Sequence, residues 1–127
     1  MERSRLDIYR EILEGFGPMT FDRDLVGPDF VLVQHGGNMD GTYPGTEGLD
    51  SYAAQFAEAW DQSEVVVEEM FERGDRVAAL VVLKVRGGLS GIEVEIRGGG
   101  IAHFAPDGKV ARLDGFTDRD EFLALIR

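Results

Sequence analysis

The spacing of apolar residues changes after Trp60, and this change constrains the fold more than any other feature of the sequence. Before Trp60, apolar side chains recur every three or four residues, which predicts helices. After it, Val-rich segments over 63–71 and 77–86 predict two strands joined by a turn at Gly74-Asp75. Apolar residues occupy both faces of 77–83, which is typical of a central strand. The second half of the chain is therefore expected to form a sheet.

Two more strands are predicted before the C-terminal end. Residues 92–97 alternate strictly between apolar and charged side chains, as a half-buried strand does. The run Gly98-Gly99-Gly100 that follows is expected to bend or bulge this strand. Pro106-Asp107-Gly108 predicts a hairpin turn into a last strand over 110–116. The sheet is thus expected to contain four consecutive strands joined by hairpins.

The helices are indicated by capping residues as well as by spacing. Ser4 and Asp118 each stand three residues before an acidic side chain, which is the pattern of a helix N-terminus. The remaining elements are expected, in order, as a helix ending at Gly15, a short helix over 21–27, a strand over 30–34, a loop over 36–45, a helix from Thr46 to Trp60, and a terminal helix reaching Ile126.

This order predicts one α+β domain spanning residues 1–127, with the helices gathered on one face of an antiparallel sheet. The length of 127 residues suits a single domain that buries its own core. No internal repeat or linker interrupts the chain.

Composition excludes several function classes. The chain has 24 acidic and 13 basic residues, a formal net charge of −11, which opposes binding to nucleic acid. The absence of Cys excludes thiol chemistry and Cys zinc sites and suits a cytoplasmic location. No apolar run is long enough to span a membrane. No phosphate loop or dinucleotide fingerprint occurs, so no cofactor is expected.

Three residues are candidates for catalysis, and each has a structural alternative. His35 precedes a Gly-rich loop, where its imidazole would act as a general base or a ligand partner, or simply as a solvated loop residue. Tyr9 would donate a hydrogen bond to a ligand carbonyl, or belong to the core. Asp40 would close over a pocket as a lid acid, or serve a turn. His35 and Asp40 together are too few ligands for a metal, and no metal site is expected.

The predicted ligand-binding residues are mostly apolar. Phe56 and Trp60 lie on one helix face with Tyr52, where aromatic side chains serve core packing or line a pocket. Ile96, Ala102 and Phe104 share one face of a strand if the glycine run keeps the alternation in phase, and His103 then faces the other way with Glu93, Glu95 and Arg97. Gln34 would add a polar group. The expected ligand is a small apolar molecule.

Two stretches of sequence carry a family resemblance. Residues 45–49, which lead into the helix that ends at Trp60, and residues 107–121 resemble the SnoaL-like, ketosteroid-isomerase-like branch of the nuclear transport factor 2 fold. The resemblance implies a cone-shaped, curved antiparallel sheet wrapped around helices, a cystatin-like α+β roll with an apolar pocket. It also implies a homodimer.

The resemblance also implies roles for individual positions. Tyr9 lies close to the position of the Tyr that donates to the enolate oxygen in ketosteroid isomerases. The protonated Asp of those enzymes corresponds to Ala102, and their general base lies nearest to Gln34 and His35. The essential Asp of SnoaL-type cyclases corresponds to Gly115. Asp114 is one residue away, on the opposite face of a regular strand.

Two classes of function follow from these residues. One is a cofactor-free isomerase or cyclase acting on a small hydrophobic substrate, with His35 as acid and base and Tyr9 polarising a carbonyl. The other is a non-catalytic module that binds a small ligand or forms a dimer. Fold resemblance alone does not choose between them, because one fold hosts many functions.

Overall fold

A computed structural model describes residues 3–126 of the chain, and within them three α-helices combine with a six-stranded sheet. The elements are α1 (Arg5–Glu14), a 3-10 turn (Arg23–Leu25), β1 (Val26–His35), β2 (Gly41–Pro44), α2 (Gly45–Ala59), β3 (Gln62–Arg73), β4 (Arg76–Arg86), β5 (Glu93–Phe104), β6 (Val110–Phe116) and α3 (Arg119–Ile126). The predicted α+β class is confirmed, and so are its four consecutive hairpin strands.

The sheet is mixed, not purely antiparallel as predicted. Its strand order is β2-β1-β6-β5-β4-β3, and β1 runs parallel to β6 while every other pair is antiparallel. Strand β2 lies inside the segment predicted as a loop. Its four residues are too short to show a periodic pattern, and pairing with β1 defines it.

The capping residues recognised in the sequence mark the N-terminal ends of α1 and α3 correctly. The Ser4 hydroxyl accepts a hydrogen bond from the Asp7 backbone N–H at 3.1 Å, and Asp118 accepts one from the Glu121 N–H at 3.0 Å. The helix predicted over 21–27 is wrong in extent, because only the 3-10 turn forms before β1 begins at Val26. Pairing of Val26 with Val110 of β6 draws this segment into the sheet.

The glycine run of β5 does not bulge. Pairing between β4 and β5 continues without a register shift from Arg76↔His103 to Arg86↔Glu93, and the bulge of this region lies in β3 between Val67 and Glu69. Alternation is therefore kept along all of β5.

The helices lie on both faces of the sheet, which corrects the prediction of a single helical face. A Cβ added at Gly99 would collide with the ring of Phe122 in α3, whereas one added at Gly100 would collide with the Tyr9 hydroxyl of α1. Successive residues of a strand point to opposite faces. We call the face toward α1 and α2 the inner face and the face toward α3 the outer face.

The main core lies between the inner face and the helices α1 and α2. Its fully buried members include Ile12, Leu32, Leu49, Val77 and Ala102. Within residues 3–126, no helix has the length and apolar character needed to cross a membrane.

Candidate functional site

A cavity of about 170 Å³ opens between the inner face, α1 and α2. Most of its lining is apolar or aromatic and includes Phe16, Leu32, Tyr52, Phe56, Trp60 and Ile96. The aromatic stripe of α2 therefore lines a cavity as well as packing the core. A cavity of about 150 Å³ lined by apolar side chains is large enough for benzene. This inner cavity has room for about one ring.

Two buried polar side chains meet the cavity at its sheet side. Tyr9 is 2% exposed and Gln34 is 6% exposed, and both line the cavity. Within residues 3–126, neither the Tyr9 hydroxyl nor the Gln34 amide forms a hydrogen bond with another group of the protein. Neither polar group is completely shielded from solvent. Their polar atoms therefore face the open space of the cavity.

The Tyr9 hydroxyl is a neutral hydrogen-bond donor. Burial raises the pKa of Tyr9 far above its ordinary value, and the negative charge of Asp114 raises it further. The phenol therefore stays protonated across the physiological range. Together with the Gln34 amide, it provides a site for a carbonyl or hydroxyl oxygen of a ligand.

Gln34 occupies the space that a side chain at position 115 would fill. A Cβ added at Gly115 would lie 2.6 Å from the Gln34 Oε1 atom. Position 115 is the one that the family resemblance assigns to an acid. In this chain a neutral amide stands there instead, because the glycine leaves room for it.

Asp114 is the centre of a second polar cluster on the outer face. Its Oδ1 atom lies 2.9 Å from His35 Nε2, and its Oδ2 atom lies 2.8 Å from His103 Nε2. The Arg112 guanidinium donates two hydrogen bonds of 2.9 Å, one to each carboxylate oxygen. This outer cluster joins three strands, β1, β5 and β6, around one buried carboxylate.

The hydrogen-bond partners of Asp114 keep its carboxyl group ionised. Burial alone would raise its pKa, but hydrogen bonds from Arg112, His35 and His103 outweigh burial and lower the pKa to about 2. Asp114 is therefore ionised at neutral pH and holds its three partners in place.

Strand alternation explains which side each residue takes. Leu113 is buried in the core and Gly115 borders Gln34, so Asp114 between them points outward. His35 follows the inward Gln34 and also points outward, where its ring stacks on Phe116 with centroids 4.4 Å apart. The expectation that His35 contributes a polar group to the inner cavity is corrected by this register.

The other predicted residues separate into two groups. Ile96 lines the cavity together with Phe56 and Trp60, while Ala102 and Phe104 are buried in the core beyond it. Asp40 is exposed and does not line the cavity; its Oδ2 atom accepts a hydrogen bond of 2.7 Å from the Gly36 N–H, as a turn residue does. The catalytic roles of Tyr9, His35 and Asp40 stay predictions.

Sequence reasoning missed Arg112 as part of the polar cluster. Arg112 and Asp114 are two apart on a strand, so they share a face, and opposite charges at this spacing are a usable signal. Asn38 and Met39 of the predicted loop also line the cavity, although sequence reasoning selected their neighbour Asp40 instead. Among residues 3–126, no group of three or more His, Cys, Asp or Glu side chains is arranged to hold a metal.

Replacing Gly100 by Ala should disturb the cavity through Tyr9. The new methyl group would collide with the Tyr9 hydroxyl, and overpacking of this kind costs roughly 1–3 kcal/mol. In a Tyr9→Phe background the same substitution should cost less, because the colliding oxygen is gone. Urea unfolding of the two single variants and the double variant measures this coupling. Simple additivity of the two effects would contradict the contact.

Comparisons with known proteins agree with this architecture. The sequence model of a family described as a SnoaL-like domain matches residues 9–113. No curated protein matches the chain. Among solved structures, a protein described as a SnoaL-like polyketide cyclase from Jannaschia sp. CCS1 is 24% identical, with a TM-score of 0.73, covering 99% of this chain and 94% of that chain.

Two further solved structures contain small molecules. TerC, co-crystallised with polyporic acid, is 22% identical with a TM-score of 0.76, covering 96% of this chain and 97% of that chain. A Mycobacterium tuberculosis protein in complex with estradiol-17β-hemisuccinate is 22% identical with a TM-score of 0.70, covering 89% of this chain and 93% of that chain. At this level of identity the likeness establishes the fold alone.

Proposed function

Since this chain belongs to the SnoaL-like domain family, we propose that its inner cavity binds a small apolar molecule that contains one ring and a carbonyl group. The observation that carries the proposal is the pair of buried, unpaired polar groups, the Tyr9 hydroxyl and the Gln34 amide, in a mostly apolar lining. Small-molecule sites typically combine an apolar lining with a few polar groups that orient the ligand.

The size of the cavity limits the ligand. About 170 Å³ accommodates a single ring with a short substituent. The relatives crystallised with polyporic acid and estradiol-17β-hemisuccinate hold larger molecules. A ligand of that size would require the lining of the cavity to move apart.

The chemistry of the lining favours binding over proton abstraction. Among the described residues that line the cavity, Asp114 alone carries a carboxyl group, and its carboxylate is hydrogen-bonded to Arg112, His35 and His103 on the outer face. The buried polar groups that remain in the lining, the phenols of Tyr9 and Tyr52 with their raised pKa values and the Gln34 amide, donate hydrogen bonds without accepting a proton. They would hold a carbonyl oxygen in a fixed place.

An isomerase- or cyclase-type reaction is the second candidate function. It is favoured by the same Tyr9 hydroxyl, because a buried donor aimed at a carbonyl also stabilises the enolate that forms from it. In this hypothesis His35 acts as the base. Because its imidazole lies on the outer face, His35→Ala should abolish turnover only if the substrate reaches that face.

A pair of isosteric ligands tests the binding proposal. Acetophenone carries the carbonyl, and α-methylstyrene has a CH₂ group in its place. The wild-type protein should bind acetophenone roughly fivefold to tenfold more tightly, as one net hydrogen bond provides about 1 kcal/mol. In Tyr9→Phe this preference should weaken to what the Gln34 amide alone provides, while α-methylstyrene binds as before. Isothermal titration calorimetry measures both affinities.

Tyr43→Phe is the matched control. It removes the same hydroxyl from a residue that does not line the cavity, so the preference for acetophenone should persist. Equal affinity of the wild-type protein for the two ligands would reject carbonyl recognition. Failure of both ligands to bind would reject the cavity as a ring-sized site.

A further inference from the structure

Two glycines that face each other across β5 and β6 leave room for the polar groups of the inner cavity to lie side by side. Gly100 and Gly115 are directly paired in the sheet. A Cβ added at Gly100 would collide with the Tyr9 hydroxyl. One added at Gly115 would lie 2.6 Å from the Gln34 Oε1 atom. Because the Cβ positions of opposite residues are about 5 Å apart, the phenol and the amide lie within reach of a single functional group.

Gln34 presents a hydrogen-bond donor and an acceptor from a fixed position. Its backbone pairs with Gly41 of β2 on one side and with Gly115 of β6 on the other, so it lies in the interior of the sheet. The oxygen, carbon and nitrogen atoms of its side-chain amide would all lie within 3.4 Å of a Cβ at position 115. The amide therefore lies alongside the glycine, and its NH₂ group and its oxygen are both available to a ligand.

A ketone would use only part of this arrangement. Its oxygen accepts hydrogen bonds from the Tyr9 hydroxyl and from the NH₂ group of Gln34, but it has no hydrogen to donate to Gln34 Oε1. This oxygen is not completely shielded from solvent. A ring that fills the cavity would displace the solvent and leave the oxygen buried without a partner, which is unfavourable.

Gln34 Oε1 is the strongest free acceptor that a buried ligand N–H would meet in the described lining. Asp114 also lines the cavity, but both of its carboxylate oxygens are hydrogen-bonded on the outer face. The amide of Asn38 belongs to an exposed residue. The Tyr52 hydroxyl is buried in the lining, but a phenol oxygen shares its lone pairs with the ring and accepts more weakly than an amide oxygen.

We propose that the inner cavity selects a carboxamide, a small ring compound whose amide oxygen accepts a hydrogen bond from Tyr9 and whose N–H donates one to Gln34. This inference rests on the proposed function and narrows its carbonyl ligand to one chemical class. The oxygen and nitrogen of an amide are attached to one carbon, so a hydrogen bond of about 2.9 Å at each end spans the gap between the two protein groups. The NH₂ group of Gln34 also reaches the ligand oxygen when the two amides pair edge to edge.

Benzamide and acetophenone test the proposal, because they differ only in an NH₂ group that replaces a methyl group. In isothermal titration calorimetry the wild-type protein should bind benzamide roughly fivefold more tightly, as one further net hydrogen bond provides. In Gln34→Met, which keeps the length of the side chain, benzamide should lose roughly tenfold or more in affinity and acetophenone less than about threefold. In Tyr9→Phe both ligands should weaken by a similar factor, since both use the carbonyl oxygen.

Gln55→Met is the matched control. It removes the same amide from an exposed residue of α2 that does not line the cavity, so the affinities for both ligands should not change. Urea unfolding separates a ligand-binding role of Gln34 from a structural one. Gln34→Met should keep or raise the midpoint, because it replaces a buried, unpaired polar group by an apolar one. A lower midpoint would assign Gln34 to the stability of the fold and overturn its role as a ligand acceptor.

The affinities also decide against the proposal in two further ways. Tighter binding of acetophenone than of benzamide by the wild-type protein would overturn amide recognition, while a preference for acetophenone over α-methylstyrene would leave the proposed function intact. Equal weakening of benzamide and acetophenone in Gln34→Met would mean that Gln34 does not contact the ligand N–H. If neither compound binds, the proposed function and this inference are both wrong.

Discussion

Phe122→Ala is expected to lower the free energy of unfolding by roughly 3–5 kcal/mol, the usual cost of truncating a buried Phe. Phe122 is fully buried and is the one buried residue that α3 contributes within the described range. Its ring packs against Phe116 with centroids 5.3 Å apart and fits over Gly99, whose missing side chain leaves the space. Removal of the ring therefore takes away the buried apolar contact between α3 and the outer face.

Urea unfolding measures this loss, and Leu125→Ala is the matched control. Leu125 lies in the same helix but is 59% exposed, so its truncation should change stability by no more than about 0.5 kcal/mol. A loss of less than about 1 kcal/mol for Phe122→Ala would mean that α3 does not depend on this contact, because buried Phe truncations cost several times more.

Asp114→Asn is expected to lower the free energy of unfolding near neutral pH by about 2 kcal/mol. The folded protein lowers the pKa of this carboxyl from 3.8 to about 2, and each pKa unit corresponds to about 1.4 kcal/mol. The Asn side chain has nearly the same size, but it has no charge to hold Arg112 and presents an NH₂ group to partners that are themselves donors. The outer cluster therefore loses its centre.

The pH dependence of this effect follows from the direction of the shift. A depressed pKa in the folded state stabilises the protein fully above the unfolded value and progressively less as pH falls through the folded value. The contribution of the Asp114 carboxyl group should therefore be fully present above about pH 4 and shrink from about pH 4 toward pH 2. Urea unfolding at a series of pH values measures it.

Asp29→Asn is the control for this series. Asp29 is an exposed carboxylate in β1 with no salt bridge among the residues that the structure describes, so its substitution should leave stability within about 0.5 kcal/mol at every pH. If Asp114→Asn proves equally neutral, the network around Asp114 contributes nothing net to stability.

The elements with strong local patterns could be predicted from the sequence. Ser4 and Asp118 cap helices as their spacing indicates, and β6 spans Val110–Phe116 as predicted. Sequence reasoning missed β2 and the first part of β1. These segments form strands because they pair with residues distant in sequence. Such pairing leaves little trace in a short segment, because β propensity depends on context.

The candidate site shows the same division. The helix face with Phe56 and Trp60 could be recognised from spacing, and both residues line the cavity. Tyr9 and Gln34 were selected as polar candidates, and the structure brings them to one cavity. His35 was selected as well, but its distance along the chain from Asp114 and His103 hid their association across three strands.

The sequence by itself determined which residues share a face, because the alternation of a strand is a local property of the backbone. It placed Asp114 and His103 opposite Leu113 and Ala102 once the strands were known. Only the tertiary structure decided what covers each face. Gly99 and Gly100 are adjacent and chemically identical. The ring of Phe122 in α3 nevertheless packs over Gly99, whereas the hydroxyl of Tyr9 lies against Gly100. That choice depends on how the sheet pairs and where the helices pack, and these are set by contacts between residues far apart in the chain.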